Sequence, residues 1–154
     1  FFKAEDGIRY SVASRGLGYV YKRQVLGDNF FEKNPIEGFD LNEFKEGAYI
    51  FTKSVDNPKE FGVALMDKEG NVISIEEKPE MPKSNNAVVG VYMFDESVFE
   101  MISTLQPSKR GEYEITDLCN LYVNNEKCKN FSIDGWWIDA GTPERIIELE
   151  EKLG

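Results

Sequence analysis

The stretch AVVGVYMF, residues 87–94, determines how the rest of this chain is interpreted. It is almost entirely apolar, and a short apolar run rich in β-branched and aromatic residues is typical of a β-strand. Because no position in it is charged, both faces of the strand are expected to be buried. The sequence therefore predicts that residues 87–94 form a strand with cover on both sides.

Patterns on either side of this strand alternate between strand-like and helical periodicity. Strands are predicted at residues 47–55, 61–66, 72–76 and 129–133, and helices at residues 97–105, 115–124 and 142–153. A turn-forming sequence joins the second and third of these strands into a hairpin. Thr142 and Pro143 mark the start of the last helix, in which Ile146, Leu149 and Leu153 are expected to face inward. The alternation predicts an α/β fold, a mixed sheet with flanking helices and an inserted β-hairpin.

The composition excludes several classes of function. The chain has 154 residues with 18 Lys and Arg against 28 Asp and Glu, a net charge of −10, so we expect one domain and no nucleic-acid partner. It contains no histidine, which rules out a Ser-His-Asp relay and an HExxH zinc site. Cys119 and Cys128 are too few for a disulfide framework, so a cytoplasmic location is expected. No apolar run approaches the roughly 18 residues of a membrane span, and no membrane partner is expected.

Residues 1–24 differ in charge and pattern from the rest of the chain. They carry five cations and two acidic residues, whereas the remaining 130 residues carry 13 cations and 26 acidic residues. No sustained period extends through them, and Glu5 and Asp6 argue against a mitochondrial transit peptide. They resemble a peptide produced when sequencing-adapter DNA is translated, with an ordinary flexible arm as the alternative. We therefore expect residues 1–24 to be a non-native or disordered arm and residues 25–154 to form the functional part.

Four short segments place charged groups beside glycine or at the ends of predicted strands. They are LGDN at 26–29, EEKP at 76–79, PSKRGEYE at 107–114 and WWIDAGT at 136–142. An acidic residue beside glycine at a strand end suits a metal or phosphate site, and a carboxylate next to a lysine suits a sugar phosphate. Each segment also has a simpler interpretation: a turn capped by Asp28 or Asn29, a solvated strand end, a charged loop, or a turn in which Asp139 accepts backbone hydrogen bonds. Spacing alone leaves both sets of interpretations open.

Taken together, the segments resemble one family, the bacterial sugar-phosphate nucleotidyltransferases, and most of all its glucose-1-phosphate thymidylyltransferases. Six motifs occur in the order and at the spacing of that family: LGDN, FGVALMD, ISIEEKP, SNNAVVGVYMFD, PSKRGEYEITDL and WWIDAGTPERI. The resemblance runs from about residue 25 to the C-terminus. It implies a Rossmann-like fold and an enzyme that joins a sugar 1-phosphate to a nucleoside triphosphate and releases pyrophosphate.

The resemblance also implies roles for particular residues. Asp28 and Asp139 resemble the two catalytic carboxylates that hold Mg²⁺ on the phosphates. Glu77 resembles the acid that binds sugar hydroxyls, and Lys78 the cation on the sugar phosphate. The other substrate-binding positions of the family fall on Gly62, Val88, Tyr92 and Arg110. Such a reaction depends on positioning and charge neutralisation rather than on a protein nucleophile, which agrees with a chain that lacks histidine.

The family's triphosphate-binding loop, a Gly-rich loop with an arginine and a following lysine, has no match before Leu26. We therefore expect a C-terminal fragment that lacks the first βα units of the nucleotide-binding part and is inactive alone. The intact enzyme is expected to use glucose 1-phosphate and dTTP, with UTP or ATP as the alternative nucleotide, and to form a homo-oligomer. A noncatalytic sugar-phosphate-binding or regulatory module is the alternative of a different class, and an upstream reading frame that encodes the loop would exclude it.

Overall fold

The structure, a computed structural model, describes residues 22–40, 44, 46–108 and 111–154. Its strands are β1 (Lys22–Val25), β2 (Asn29–Phe31), β3 (Ala48–Ser54), β4 (Gly62–Met66), β5 (Val72–Glu77), β6 (Asn86–Phe94), β7 (Cys128–Ser132) and β8 (Trp137–Asp139). Its helices are α1 (Val98–Thr104), α2 (Ile115–Asn124) and α3 (Pro143–Leu153), and a 3₁₀ turn spans Pro58–Glu60. The fold is mixed α/β, as predicted.

The larger sheet is assembled on both edges of β6. β3 pairs antiparallel along one edge, while β1 and β4 share the other edge, with β4 opposite Ala87 and β1 opposite the C-terminal half of β6. β5 extends the sheet beyond β4 as the second strand of a hairpin, and β7 lies parallel to β3 on the other side. β6 is therefore hydrogen-bonded on both edges of a sheet of mixed direction.

Side chains of β6 alternate between two hydrophobic cores. Tyr92 and Phe94 belong to the core in which Leu118 and Tyr122 of α2 are also buried. The second core, on the opposite face, consists of Phe44, Phe51, Val89, Val91, Met93 and Ile133. Every residue from 87 to 94 is buried, which confirms the predicted strand and its burial on both faces.

The other predicted strands and helices are confirmed, with ends that move by at most one residue. In the predicted hairpin turn, the Asp67 amide donates to the Asn71 carbonyl at 2.9 Å, and the Asp67 carboxylate accepts from the Glu69 and Asn71 amides. At the start of α3 the Thr142 hydroxyl accepts from the Arg145 amide at 3.4 Å and caps the helix. None of the described helices combines the length and the apolar character that a membrane crossing requires.

Three features near the ends of the chain differ from the predictions. β1, β2 and β8 are absent from the predicted elements, because strands of three or four residues carry too little periodicity to be recognised. β1 includes residues 22–24 of the predicted arm, and since residues 1–21 lie outside the described residues, the rest of the arm stays a prediction. On α3 Leu149 is buried, but Ile146 and Leu153 are 46% and 68% exposed, because this helix packs mainly on β8.

Asn120 of α2 satisfies both backbone groups of Ile75 on β5, the terminal strand of the larger sheet. Its side chain accepts from the Ile75 amide at 3.0 Å and donates to the Ile75 carbonyl at 2.8 Å. Replacing Asn120 with Ala would leave both backbone groups unpaired in a partly buried contact. We therefore expect the free energy of unfolding, measured by urea denaturation, to fall by about 1–3 kcal/mol.

Asn124→Ala is the matched control, because Asn124 lies one turn later on the same helix and is exposed. We expect this variant to change the free energy of unfolding by less than about 0.5 kcal/mol. Equal losses in the two variants would show that the Asn120 bridge does not stabilise β5.

Candidate functional site

Pairing of β2 with β8 brings Asp28 and Asp139 together. Asn29 lies opposite Asp139 in this antiparallel pair, and the Asp28 carbonyl accepts a hydrogen bond from the Ala140 amide at 2.7 Å. One carboxylate oxygen of each aspartate lies within 4 Å of the position that a Cβ would take on Gly141. Because Gly141 has no side chain, the space beside both carboxylates is open. The structure thus places the two aspartates at one edge of the fold, as the resemblance implies.

Asn29 holds this arrangement in place. Its Nδ2 donates to Asp28 Oδ1 at 2.9 Å, and its Oδ1 accepts from the Gly90 amide at 2.9 Å and from Trp137 Nε1 at 2.6 Å. A Cβ on Gly90 would lie 2.7 Å from the Asn29 side chain, so glycine at this position of β6 permits the contact. Sequence reasoning does not find this role, because an Asn after Gly-Asp is equally typical of a turn.

Asp139 is in surroundings that disfavour its charge. Partial burial raises the pKa of Asp139 above its ordinary value, and the negative charge of Asp28 adds to the shift. The Arg145 guanidinium, the Gly141 amide and the Lys78 ammonium oppose the shift without reversing it. Two carboxylates placed in this way repel each other unless a cation lies nearby. The pair is therefore a candidate for holding a divalent cation.

Gly62, Glu77 and Val88 meet where β4 lies between β5 and β6. Gly62 pairs with Glu77 across the hairpin, and a Cβ on Gly62 would lie 3.3 Å from Glu77 Oε2 and 3.8 Å from Val88 Cβ. The same Cβ would lie 2.9 Å from Thr116 Cγ2 of α2. Thr116 is buried, and its Oγ1 has no hydrogen-bond partner within the described part of the chain. Sequence reasoning misses Thr116, because nothing in its sequence context distinguishes it from other helical threonines.

Tyr92 of β6 is a buried residue whose phenol is affected both by the Asp28–Asp139 pair and by Glu77. Burial raises the pKa of its phenol well above the ordinary value, and Cys119 and the carboxylates of Glu77, Asp139 and Asp28 raise it further. The phenol is therefore neutral and lies within electrostatic range of all three carboxylates. The predicted sugar-binding acid and the two predicted metal-binding acids thus all act electrostatically on one buried phenol.

Lys78 directly follows β5. Its φ of 44° lies in the left-handed range, which costs a non-glycine residue about 1–3 kcal/mol and is frequent at functional sites. Its amide donates to the Phe61 carbonyl at 3.0 Å, and its ammonium group is near enough to lower the pKa of Asp139. The remaining predicted residue, Arg110, lies outside the described residues, so its role stays a prediction.

Asp28 and Asp139 supply only a few of the ligands that a metal ion needs. Over residues 22–40, 44, 46–108 and 111–154, no group of three or more His, Cys, Asp or Glu side chains could hold a metal ion. Mg²⁺ is commonly bound in proteins through one or two carboxylates together with substrate phosphates and water. Asp28 and Asp139 therefore fit a cation that a bound phosphate helps to hold.

A family model described as nucleotidyl transferase matches residues 16–154. The chain belongs to this family. Membership confirms the resemblance drawn from the six motifs, and the nucleotidyl transferase fold accounts for the mixed sheet around β6.

Individual relatives agree with the family. The chain is 41% identical over 130 residues to the bifunctional protein GlmU of Methanocaldococcus jannaschii, covering 84% of this chain and 30% of that protein. It is 40% identical over 152 residues to the glucose-1-phosphate thymidylyltransferase of Mycobacterium tuberculosis, covering 95% of this chain and 52% of that protein. A solved Bacillus anthracis structure, described as a glucose-1-phosphate thymidylyltransferase in complex with sucrose, superposes with a TM-score of 0.77 at 40% identity and covers 88% of this chain and 55% of that chain. The chain thus spans about half the length of these proteins, or less.

Replacing Asp139 with Asn should stabilise the metal-free chain more at neutral pH than in acid. Because the folded pKa of Asp139 lies above the unfolded value of about 3.8, the unfolded chain loses this proton first as the pH rises. Ionisation of Asp139 therefore lowers the free energy of unfolding at pH values above the unfolded pKa. At pH values below the unfolded pKa this loss is absent. In urea denaturation with a metal chelator, the advantage of Asp139→Asn over the wild type should grow between about pH 3 and about pH 7.

Asp134→Asn is the control, since Asp134 is exposed and lies shortly before β8. Equal growth in both variants would assign the effect to net charge rather than to the surroundings of Asp139. An advantage of Asp139→Asn that falls as the pH rises would contradict the raised pKa.

Proposed function

We propose that residues 25–154 form the sugar-phosphate-binding and metal-binding part of a sugar-1-phosphate nucleotidyltransferase. The observation that supports this most strongly is the meeting of Asp28 and Asp139 beside Gly141, together with Glu77 beside Gly62 on the β4–β5 hairpin. Family membership limits the class of reaction, and the name of one relative, glucose-1-phosphate thymidylyltransferase, suggests the substrates. For the whole protein we propose glucose 1-phosphate and dTTP.

In this proposal Asp28 and Asp139 hold Mg²⁺, which supplies positive charge to neutralise the substrate phosphates. The chain's own part is to keep the two carboxylates side by side. Asn29 fixes Asp28 through its amide, and the Gly141 amide donates to Asp139 Oδ1 at 3.2 Å. Both aspartates are thus oriented by hydrogen bonds that do not depend on a ligand.

The sugar lies against the β4–β5 hairpin in this proposal. The Glu77 carboxylate accepts hydrogen bonds from sugar hydroxyls, and the buried Thr116 hydroxyl offers a second polar group beside it. Gly62 lets the sugar approach the backbone of β4, while Val88 and Tyr92 form an apolar floor. A few polar groups on an apolar floor are typical of small-molecule sites.

The proposed reaction requires no nucleophile from the protein. A phosphate oxygen of the sugar 1-phosphate forms a bond to the α-phosphorus of the triphosphate, the bond from that phosphorus to the β-bridging oxygen breaks, and pyrophosphate leaves. Lys78 and Arg110 hold the sugar phosphate in line for this displacement, and positioning together with charge neutralisation supplies the rate. UTP or ATP in place of dTTP is the alternative, and product analysis of the whole protein with each triphosphate decides between them.

Glu77→Gln tests the proposed sugar site in the chain as it exists. Glutamine keeps the size of the side chain but removes the charge and one acceptor oxygen. The affinity for glucose 1-phosphate in a Mg²⁺ buffer, measured by isothermal titration calorimetry, should therefore fall about tenfold or more.

Glu76→Gln is the matched control, because Glu76 is the neighbouring residue of β5 and its side chain lies on the opposite, exposed face. We expect this variant to keep the wild-type affinity. Equal weakening in both variants would contradict the role of Glu77. A wild-type chain that does not bind glucose 1-phosphate would contradict the proposed sugar-phosphate site itself.

A further inference from the structure

Arg145 in the first turn of α3 contacts both halves of the candidate site, although none of the sequence patterns assigns it a role. Its side chain is 18% exposed. Its guanidinium carbon lies 4.4 Å from the centre of the Phe61 ring, and Nη2 forms an ion pair with Glu60. On the other side, Nη1 lies 3.4 Å from the Asp139 carbonyl oxygen and 3.5 Å from Asp139 Oδ2. One planar group therefore contacts three residues at once.

The contact with Arg145 gives the two carboxylate oxygens of Asp139 different partners. Oδ2 faces Arg145, whereas Oδ1 accepts from the Gly141 amide and, like Asp28 Oδ2, lies within 4 Å of the position that a Cβ would take on Gly141. A carboxylate held at one oxygen by a guanidinium has restricted rotation, which turns the other oxygen in a fixed direction. Arg145 thus orients Asp139 toward the shared space beside Gly141.

The contacts with Glu60 and Phe61 reach the sugar-binding half of the site. Phe61 directly precedes Gly62, and its carbonyl accepts from the Lys78 amide at 3.0 Å. The Phe61 ring also packs against Trp137 of β8, with ring centres 4.9 Å apart. Arg145 therefore stacks on the residue that joins the β4–β5 hairpin to β8.

We propose that Arg145 is a positioning residue that fixes the carboxylate of Asp139 and the Phe61–Gly62 segment in place relative to each other. The identity of the ligands rests on the proposed function, but the positioning itself is a property of the ligand-free chain. Its physical basis is the guanidinium fork, which a lysine ammonium does not reproduce, because a point charge cannot stack on a ring and pair with two acidic residues in the same geometry.

The test compares Arg145→Lys, which keeps the charge, with the wild-type chain without ligand. Amide hydrogen exchange, followed by NMR, reports on three hydrogen bonds of the site, those donated by the Lys78, Ala140 and Gly141 amides. If Arg145 positions both halves, exchange should accelerate about tenfold at all three amides in Arg145→Lys. Lys152→Gln is the control, since Lys152 is an exposed cation in the last turn of the same helix.

A second readout is the affinity for glucose 1-phosphate in a Mg²⁺ buffer, which should fall about tenfold in Arg145→Lys and stay unchanged in Lys152→Gln. Arg145→Gln is used in addition; if it fails to fold, Arg145→Lys alone decides. Faster exchange at the three amides in a chain that never binds the sugar phosphate would support positioning and contradict the proposed function.

Unchanged exchange at Lys78, Ala140 and Gly141 would overturn the proposal whether or not the sugar phosphate binds. Faster exchange confined to the amides of α3 would overturn it as well, since Arg145 would then only anchor its own helix. Wild-type behaviour of Arg145→Lys would show that the charge suffices and that the guanidinium geometry has no role.

Discussion

The arrangement of the candidate site depends on the short pairing between β2 and β8 and on its attachment to β6. Asn29 makes that attachment, because its side-chain oxygen accepts from the Gly90 amide of β6 and from Trp137 of β8, 108 positions away in sequence. β6 itself is fixed by burial on both faces and by strands on both edges. A rigid strand thus supports two short strands that would not be stable alone. Two backbone hydrogen bonds add to this attachment: the Leu26 amide donates to the Gly90 carbonyl at 2.8 Å, and the Ala140 amide donates to the Asp28 carbonyl at 2.7 Å.

The site combines groups that do not favour each other in the absence of a ligand. Asp28 and Asp139 repel each other, Asp139 is partly buried, and Lys78 adopts a left-handed backbone conformation. Arg145 and Lys78 offset part of the negative charge, yet the pKa of Asp139 is still raised. Such local costs persist where the rest of the fold is stable enough to hold them, and they are frequent at functional sites. In this chain the stability comes from the two cores on either side of β6.

Long patterns in the sequence predict much of this fold, and short ones do not. The burial of residues 87–94 follows from their composition, and α2 follows from an apolar stripe of helical period. β2 and β8 have three residues each, too few to show a period, so their pairing becomes visible in the structure alone. The resemblance points to Asp28 and Asp139, but Asn29, Thr116 and the side chain of Arg145 act through contacts distant in sequence. On α3 the apolar pattern overstates burial, because a periodic stripe predicts an inward face only where a partner surface covers the whole helix.

If Asp28 and Asp139 together hold a divalent cation, as we propose, Mn²⁺ is a suitable probe because it is a paramagnetic substitute for Mg²⁺. Titrating the ¹⁵N-labelled chain with Mn²⁺ broadens the amide resonances nearest the bound ion. We expect broadening to begin at Asp28, Asn29 and residues 139–141, and Asp139→Asn to remove it there. Broadening that begins instead at the exposed acidic residues of α3, or that is the same in Asp139→Asn, would show that Asp28 and Asp139 do not hold the ion.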